Sequence, residues 1–266
     1  MMHVVCAADR AFLRHVPVML SSLTAHSSTP LRVSVVGMDW NDRDKRCIEA
    51  ALPDLAIEFL SPPLSVLEGL SHKAMLSPMA YARILMAELV DSDRFLYLDI
   101  DMIVRSDVAE LWATELGSSP AAAVFHDDKL NSGLLLVNAR VWRERELTAQ
   151  ILEWARVHRP READQESIEA VIGPEIQRLD PRWNRLVDPF WSAQALATPQ
   201  YRENARILHF ITGFKPWNLG RWFLSKAYVD EWRRFRKPTG LPVIWAYEIK
   251  TLLWQIQMLF RLWLKR

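Results

Sequence analysis

Short apolar runs alternate with segments of helical spacing along roughly the first two-thirds of the chain. Residues 3–7, 31–36, 56–60, 95–98 and 133–137 are apolar stretches of strand length, the pattern of strands buried on both faces. Between them, Pro17 suits the first turn of a helix through Met19 and Leu23. Residues 41–52 have helical composition, and Ser77-Pro78 predicts an N-cap and first turn for a helix through Tyr81, Arg83, Leu85 and Leu89. Asn138 reads as a cap, Leu147, Ile151, Trp154 and Ala155 share one helical face, and a short helix from Asp164 stops at Gly173-Pro174. This alternation predicts an α/β fold, a mostly parallel sheet with helices on both faces. Ligands of such sheets bind outside the carboxyl ends of the strands. Asp99 and Asp101 lie at one such end, Ala8 and Asp9 at another.

Composition narrows the class. The 266 residues suffice for one large domain with a small extension. A chain 50% hydrophobic and 24% charged is globular, and a net charge of +1 gives no reason to expect nucleic acid. Two scattered cysteines, Cys6 and Cys47, form neither a disulfide framework nor a zinc site and suit a reducing compartment. The amino terminus lacks the basic region and apolar length of a signal peptide, so a cytoplasmic protein is expected. Charge shifts abruptly near residue 220. Residues 221–266 hold ten Lys or Arg against three Asp or Glu, and five of the twelve tryptophans. The expected organisation is therefore a main α/β domain over 1–220 and a basic, Trp-rich helical tail over 221–266.

The chemistry concentrates at Phe95-Leu-Tyr-Leu-Asp99-Ile-Asp101. Residues i and i+2 of an extended chain point to the same side, so both carboxylates project from the strand end together. Such a pair raises one of its own pKa values unless a cation joins it. Hard divalent cations prefer carboxylate oxygen and share themselves with phosphates, so the pair reads as a metal clamp for a nucleotide diphosphate. A second signal is Ile207-Leu-His209, followed by a loop with Gly213 and Lys215. Imidazole serves as a metal ligand, lysine as a compact partner for phosphate, and glycine lets backbone approach an anion. Taken alone, these are a satisfied core histidine and a surface lysine. Asp164-Gln165-Glu166 reads equally as a helix cap or a sugar contact. Asn131-Ser-Gly133 reads as a turn, His126-Asp127-Asp128 as a polar loop, and Arg83 as half of a surface ion pair.

Together these pieces resemble the retaining GT-A-fold enzymes of glycosyltransferase family 8, which include bacterial lipopolysaccharide galactosyl- and glucosyltransferases. The resemblance runs in order through nearly the whole chain. It implies that Ala7, Ala8 and Asp9 close the strand that holds uridine, with Phe12 where members place a Tyr that stacks on uracil. Tyr81-Ala-Arg83 resembles the helix whose arginine reaches the donor. Asp99, Asp101 and His209 correspond to the ligands of Mn²⁺ or Mg²⁺. Asn131 and the strand behind it resemble the segment lining the sugar site, and Asp127 is placed as the acid that reads the donor sugar. Asp164 and Gln165 correspond to the catalytic residues beneath the anomeric carbon, and Gly213 and Lys215 to the diphosphate loop. The glycine is displaced by one position, because Thr212 stands where the family has Gly, and residues 123–131 are shorter than in many members. The implied activity is metal-dependent hexosyl transfer from a UDP-sugar, galactose before glucose, to a saccharide such as a lipopolysaccharide core.

Residues 243–264 are long and apolar but interrupted by Glu248, Lys250, Gln255, Gln257 and Arg261. On a helical wheel Ile249, Leu252, Leu253, Ile256, Leu259, Phe260, Trp263 and Leu264 share one half. That pattern predicts a helix lying on anionic lipid at the inner face of the cytoplasmic membrane, aided by the cluster from Arg233 to Lys237. A helix packed on the domain or a dimer contact is the alternative. Two other functions compete: a haloacid-dehalogenase-like phosphatase with Asp99 as nucleophile, and a non-catalytic membrane-associated UDP-sugar binder.

Overall fold

Strands apolar on both faces need cover on both faces, and the computed structural model supplies it. It describes residues 1–70, 78–188, 203–241, 243 and 245–263. In chain order the elements are β1 (Met2–Asp9), α1 (Val16–His26), β2 (Leu31–Met38), α2 (Asp42–Ala51), β3 (Ile57–Leu60), α3 (Ala82–Leu89), β4 (Arg94–Leu98), β5 (Met102–Val104), α4 (Ala109–Trp112), β6 (Ala121–His126) and β7 (Lys129–Asn138). There follow α5 (Ala139–Glu144), α6 (Leu147–His158), α7 (Asp164–Ile172), β8 (Gln177–Arg178), β9 (Arg185–Val187), β10 (Ile207–Phe210), α8 (Lys226–Phe235) and α9 (Trp245–Trp263). Seven strands form one sheet in the order β3-β2-β1-β4-β7-β6-β8. All neighbours are parallel except β4–β7 and β7–β6. The period of two sorts β4 between two cores: Phe95 and Tyr97 enter one, with α3, α6 and α7, and Leu96 and Leu98 enter the other, with α1.

The chain changes sheet at the two acids. After β4 it passes Asp99-Ile-Asp101, and β5 then joins a three-stranded sheet, β5-β10-β9. Met102, Val104 and Ile207 of this sheet enter the core of the larger one, and a third core packs on its other side: Val18 of α1, Ile103 of β5, and Leu208 and Phe210 of β10, closed by Tyr228, Trp232 and Phe235 of α8. Residues beyond the charge boundary near 220 therefore complete the core beside the acids.

Side-chain caps start two of the helices, α2 and α5. Asn41 accepts from Asp44 N while the Asp44 carboxylate accepts from Asn41 N, a capping box for α2. Asn138 accepts from Val141 N at the start of α5. Residues Pro78–Tyr81 form a 3₁₀ turn leading into α3, and Ser77 lies outside the described residues. Asn131, Ser132 and Gly133 belong to β7 itself, where the expected turn is absent.

The last helix docks by its polar edge. Glu248 pairs with Arg14 of the turn before α1. Thr251 and Gln255 are buried, and Gln255 Nε2 donates to Gly213 O (2.8 Å) and Asn218 Oδ1 (3.2 Å). The apolar edge faces outward, with Ile249 55%, Leu253 56% and Ile256 54% exposed. Leu264 to Arg266 lie outside the described residues.

Three histidines are held neutral inside this fold. Burial drives His15 well below its ordinary value, with Arg14 and Arg236 adding to it. Burial is also the main cause for His3 and His126. The unfolded chain titrates these groups near pH ~6.5, so below that it binds protons that the folded chain refuses. Their contribution to stability is complete above pH ~6.5 and is lost as the pH falls below it. The melting temperature should therefore drop from pH 7 to pH 5, and His15→Phe should flatten the drop. An unchanged slope in the variant would mean that folded His15 accepts its proton.

Candidate active site

Asp99 and Asp101 leave β4 and meet His209, which β10 presents from the second sheet. One ligand atom from each lies within 4.8 Å of the others. His209 Nε2 is 3.2 Å from Asp101 Oδ1 and 3.6 Å from Asp99 Oδ2. The other ring nitrogen, Nδ1, is 3.0 Å from Asn184 Oδ1, while Asn184 Nδ2 donates to Asn131 Oδ1 at 2.8 Å. With its amide group fixed in that sense, Asn184 accepts the Nδ1 proton and Nε2 keeps its lone pair. That lone pair then confronts Asp101 Oδ1, a buried oxygen with no hydrogen-bond donor among the described residues. Acceptor facing acceptor is repulsive until a cation sits between them. Gly133 makes the room: a Cβ there would lie 2.3 Å from His209 Cε1 and 2.8 Å from Asp99 Oδ2. The donor set, two carboxylates and an imidazole, fits a divalent cation.

Arg83 is the hub of the acidic side. Its Nη2 is 3.1 Å from Asp99 Oδ1 and its Nε 2.9 Å from Asp164 Oδ2. Its Nη1 donates to both the carbonyl (2.6 Å) and the hydroxyl (2.9 Å) of Ser132, and that hydroxyl donates to Asp164 (2.9 Å). The guanidinium also lies over the Tyr97 ring at 4.9 Å, while Tyr97 OH donates to Asp99. Read alone, Arg83 looked like half of a surface pair; it is in fact largely buried and faces Asp99. Burial alone would lower its pKa, but Asp164 and Asp99 outweigh burial and raise it. Burial raises Asp164 against the pull of Arg83.

The ambiguous acids at the start of α7 divide their work. Glu166 reaches back to accept from Arg161 N and Glu162 N, which closes the turn. Asp164 is thereby left for Arg83 and Ser132. Gln165 accepts weakly from Ser132 N (3.4 Å) and donates to Glu162 (3.0 Å). The residue before them, Ala163, is buried with φ at 51°, a left-handed conformation that side chains adopt at a cost of about 1–3 kcal/mol.

On the opposite side Lys215 donates to Asp101 Oδ2 at 2.6 Å and to Phe210 O. Burial alone would raise the Asp101 pKa, yet the Lys215 ammonium holds that carboxyl well below the usual range. Between His209 and Lys215, Thr212 takes the left-handed conformation (φ 65°) that glycine adopts freely, and its hydroxyl is anchored on Asp188 at 2.7 Å. The displaced Gly213 serves another need, since a Cβ there would lie 2.3 Å from the Trp254 ring of α9.

The remaining candidates fall around this centre. Ala7, Ala8 and Asp9 end β1 beside β4, and Asp9 Oδ1 accepts from Ala11 N and Phe12 N, which shapes the turn that carries Phe12. Phe12 contacts Trp217 edge-on at 6.5 Å. Asn131 joins the metal side through Asn184. Asp127, with φ at 49°, is at the exposed tip of the β6–β7 hairpin and forms no ion pair with the cluster among the described residues. Sequence reasoning missed Tyr97 and Asn184 as participants, and gave Ser132 and Gly133 only as part of the segment around Asn131. Tyr97 was discoverable, because it shares the strand side of Asp99 and Asp101. Asn184 lies in an irregular stretch and gave no signal.

Comparison with known proteins follows the same lines. The model of "Glycosyl transferase family 8" matches residues 3–219. General stress protein A of Bacillus subtilis (strain 168) is 27% identical across 90% of this chain and 94% of its own length. Glycosyltransferase GlyA of Streptococcus pneumoniae is 24% identical over 86% of this chain, which spans only 34% of that longer relative. Among solved structures, the galactosyltransferase LgtC, in complex with donor and acceptor sugar analogs, has a TM-score of 0.74 at 23% identity, covering 88% of this chain and 94% of that one. Glycosyltransferase GlyE of Streptococcus pneumoniae gives 0.71 at 21% identity, covering 97% and 65%. The fold is thus mixed α/β and GT-A-like. A family match over this span displaces the phosphatase alternative.

The geometry makes Gly133→Ala and Asn184→Ala informative. Each should weaken Mn²⁺ binding about tenfold or more in calorimetric titration while the far-ultraviolet circular dichroism is retained. Unchanged affinity in both would place the cation elsewhere.

Proposed function

The chain belongs to glycosyl transferase family 8 and is a glycosyltransferase, and on that premise we propose that it moves a hexose from a UDP-sugar to a saccharide acceptor with retention of configuration. Galactose is the first choice of sugar and glucose the second. The observation that carries the reading is the convergence of the Asp99, Asp101 and His209 cluster with the Arg83–Asp164 pair across one shared carboxylate, Asp99.

A divalent cation, Mn²⁺ or Mg²⁺, held by Asp99, Asp101 and His209 supplies Lewis-acid stabilisation to the departing diphosphate when bound. Lys215 turns from Asp101 to the phosphates and adds a positive contact there. Arg83 supports the leaving-group side, where charge develops in the transition state. Ala7, Ala8 and Asp9 hold the uridine and Phe12 stacks on its base, while Gly213 lets the backbone approach the diphosphate. Asp164, Asn131 and Asp127 hold hydroxyls of the transferred sugar. Gln165 lies on its far face and is a poor nucleophile, so a two-step route through a covalent intermediate is disfavoured. The acceptor hydroxyl attacks from the face that the diphosphate leaves and gives its proton to the departing phosphate.

The acceptor in this reading is lipid-linked, such as a lipopolysaccharide core, and the protein works peripherally at the inner face of the cytoplasmic membrane through residues 221–266. Two features support that placement. The apolar edge of α9 faces outward, and Leu219, Trp222 and Phe223 are exposed as well. No helix among the described residues is long and apolar enough to cross a membrane, so contact with lipid is made along the surface.

The test is Mn²⁺-dependent release of UDP from a panel of UDP-sugars without acceptor. Wild type should release UDP from one or two donors, and Asp101→Ala should lower that rate about a hundredfold or more. Release that persists undiminished in the variant, or no UDP binding at all, would overturn the assignment of the site.

A further inference from the structure

A cavity outside the donor centre carries features of its own. It encloses about 720 Å³ between the start of α1, the 216–221 loop, α8 and α9. His15 and Trp217, stacked at 4.1 Å, form its inner wall, and Trp217 belongs to the same loop as Lys215. Cations from separate elements converge on it: Arg14, Arg221, Arg233, Arg236 and Lys237, against the single carboxylate Glu248, which Arg14 already engages. Arg233 has Asp230 at 3.4 Å, while Arg236 and Lys237 have no carboxylate within ion-pair distance among the described residues.

The floor of the cavity holds an independent sign of a ligand. Thr251 lines it, is 2% exposed, and its hydroxyl has no hydrogen-bond partner among the described residues. A buried hydroxyl left unmatched is costly, and a phosphate oxygen is the acceptor that the surrounding cations would bring to it. The mouth is apolar. Val243, Trp245 and Ile249 line the opening and are 38%, 71% and 55% exposed, and Ile249 begins the outward edge that continues through Leu253 and Ile256.

We propose that this cavity binds the phosphate headgroup of an anionic lipid, with the acyl chains running from its mouth along the outward edge of α9. Charge selects the headgroup and the exposed apolar edge selects a lipid over a soluble phosphoester. The inference rests on the reading that this face meets a membrane, and it adds a defined site to what charge alone would make a diffuse attraction. The 216–221 wall sets an occupied cavity directly behind the loop that carries Lys215.

The test uses the full chain, vesicles with and without phosphatidylglycerol in phosphatidylcholine, and soluble dihexanoyl-phosphatidylglycerol below its micelle concentration. Thr251→Val keeps shape and charge and removes only the orphan hydroxyl. Wild type should sediment with the anionic vesicles and bind the soluble lipid with one-to-one stoichiometry. Thr251→Val should weaken the soluble lipid about tenfold, as expected for losing a hydrogen bond to a charged group, without loss of thermal stability. Arg236→Ser should weaken it about fivefold. If Thr251→Val and Arg236→Ser bind the lipid as wild type does, the cavity is not the site, although the membrane reading stands. If glycerol phosphate or inorganic phosphate binds as tightly as the lipid, the occupant is a soluble phosphoester and the lipid assignment falls. If wild type ignores anionic vesicles altogether, the membrane reading and this site fall together.

Discussion

Three carboxylates crowd the centre of this molecule, and two permanent cations hold them there. Arg83 stands between Asp99 and Asp164, and Lys215 covers the far oxygen of Asp101. Two like charges 4 Å apart repel by about 4 kcal/mol at the effective dielectric of a protein site. That is a large share of the 5–15 kcal/mol by which a domain is stable. The acids are tolerable only because the guanidinium is locked in place, by Ser132, by the Tyr97 ring and by its own burial. The balance is deliberately incomplete. One oxygen of Asp101 faces the lone pair of His209 without a donor. A site that is almost neutral, yet short of one positive contact, would take a dication without first having to expel a competing proton.

Much of this was legible in the chain. The apolar runs located β1 to β4 and β7, because strands buried on both faces leave nothing for polar residues to do. The spacing of Asp99 and Asp101 followed from the two-residue period, and the order of the motifs supplied the family. What the sequence hid was distance. Ser132 meets Arg83 and Asp164, and Asn184 meets His209 and Asn131, across tens of residues with no local pattern to announce it. Arg83 carried the look of a surface residue because its helix position says nothing of the acids that fold onto it. Thr212 shows the opposite case: the sequence marked a missing glycine, and the structure answers with a left-handed threonine tied to Asp188.

The tail shows how a correct pattern can leave its direction open. The helical wheel separated an apolar from a polar edge, and the expectation for a packed helix is apolar inward. Here the polar edge found partners first: Arg14 for Glu248, and the Gly213 and Asn218 backbone and side chain for Gln255. Gly213 permits that approach, since its missing side chain leaves space for Trp254. The same residue thus serves the fold of the tail and stands in the loop that carries Lys215 to Asp101, which ties the far end of the chain to the acid cluster.

The two acids also span a seam. Asp99 terminates a strand of the seven-stranded sheet, whereas Asp101 leads into the three-stranded sheet that carries His209. A cation bound there is gripped by two cooperative units of unequal size. The smaller sheet, with only three strands, is the one expected to open first in native-state fluctuations. Its opening would separate two ligands from the third while the larger sheet stays folded. The residence time of a cation held there would then follow the breathing rate of the small sheet, and exchange of the ion would be a clock for a motion that leaves the larger sheet undisturbed.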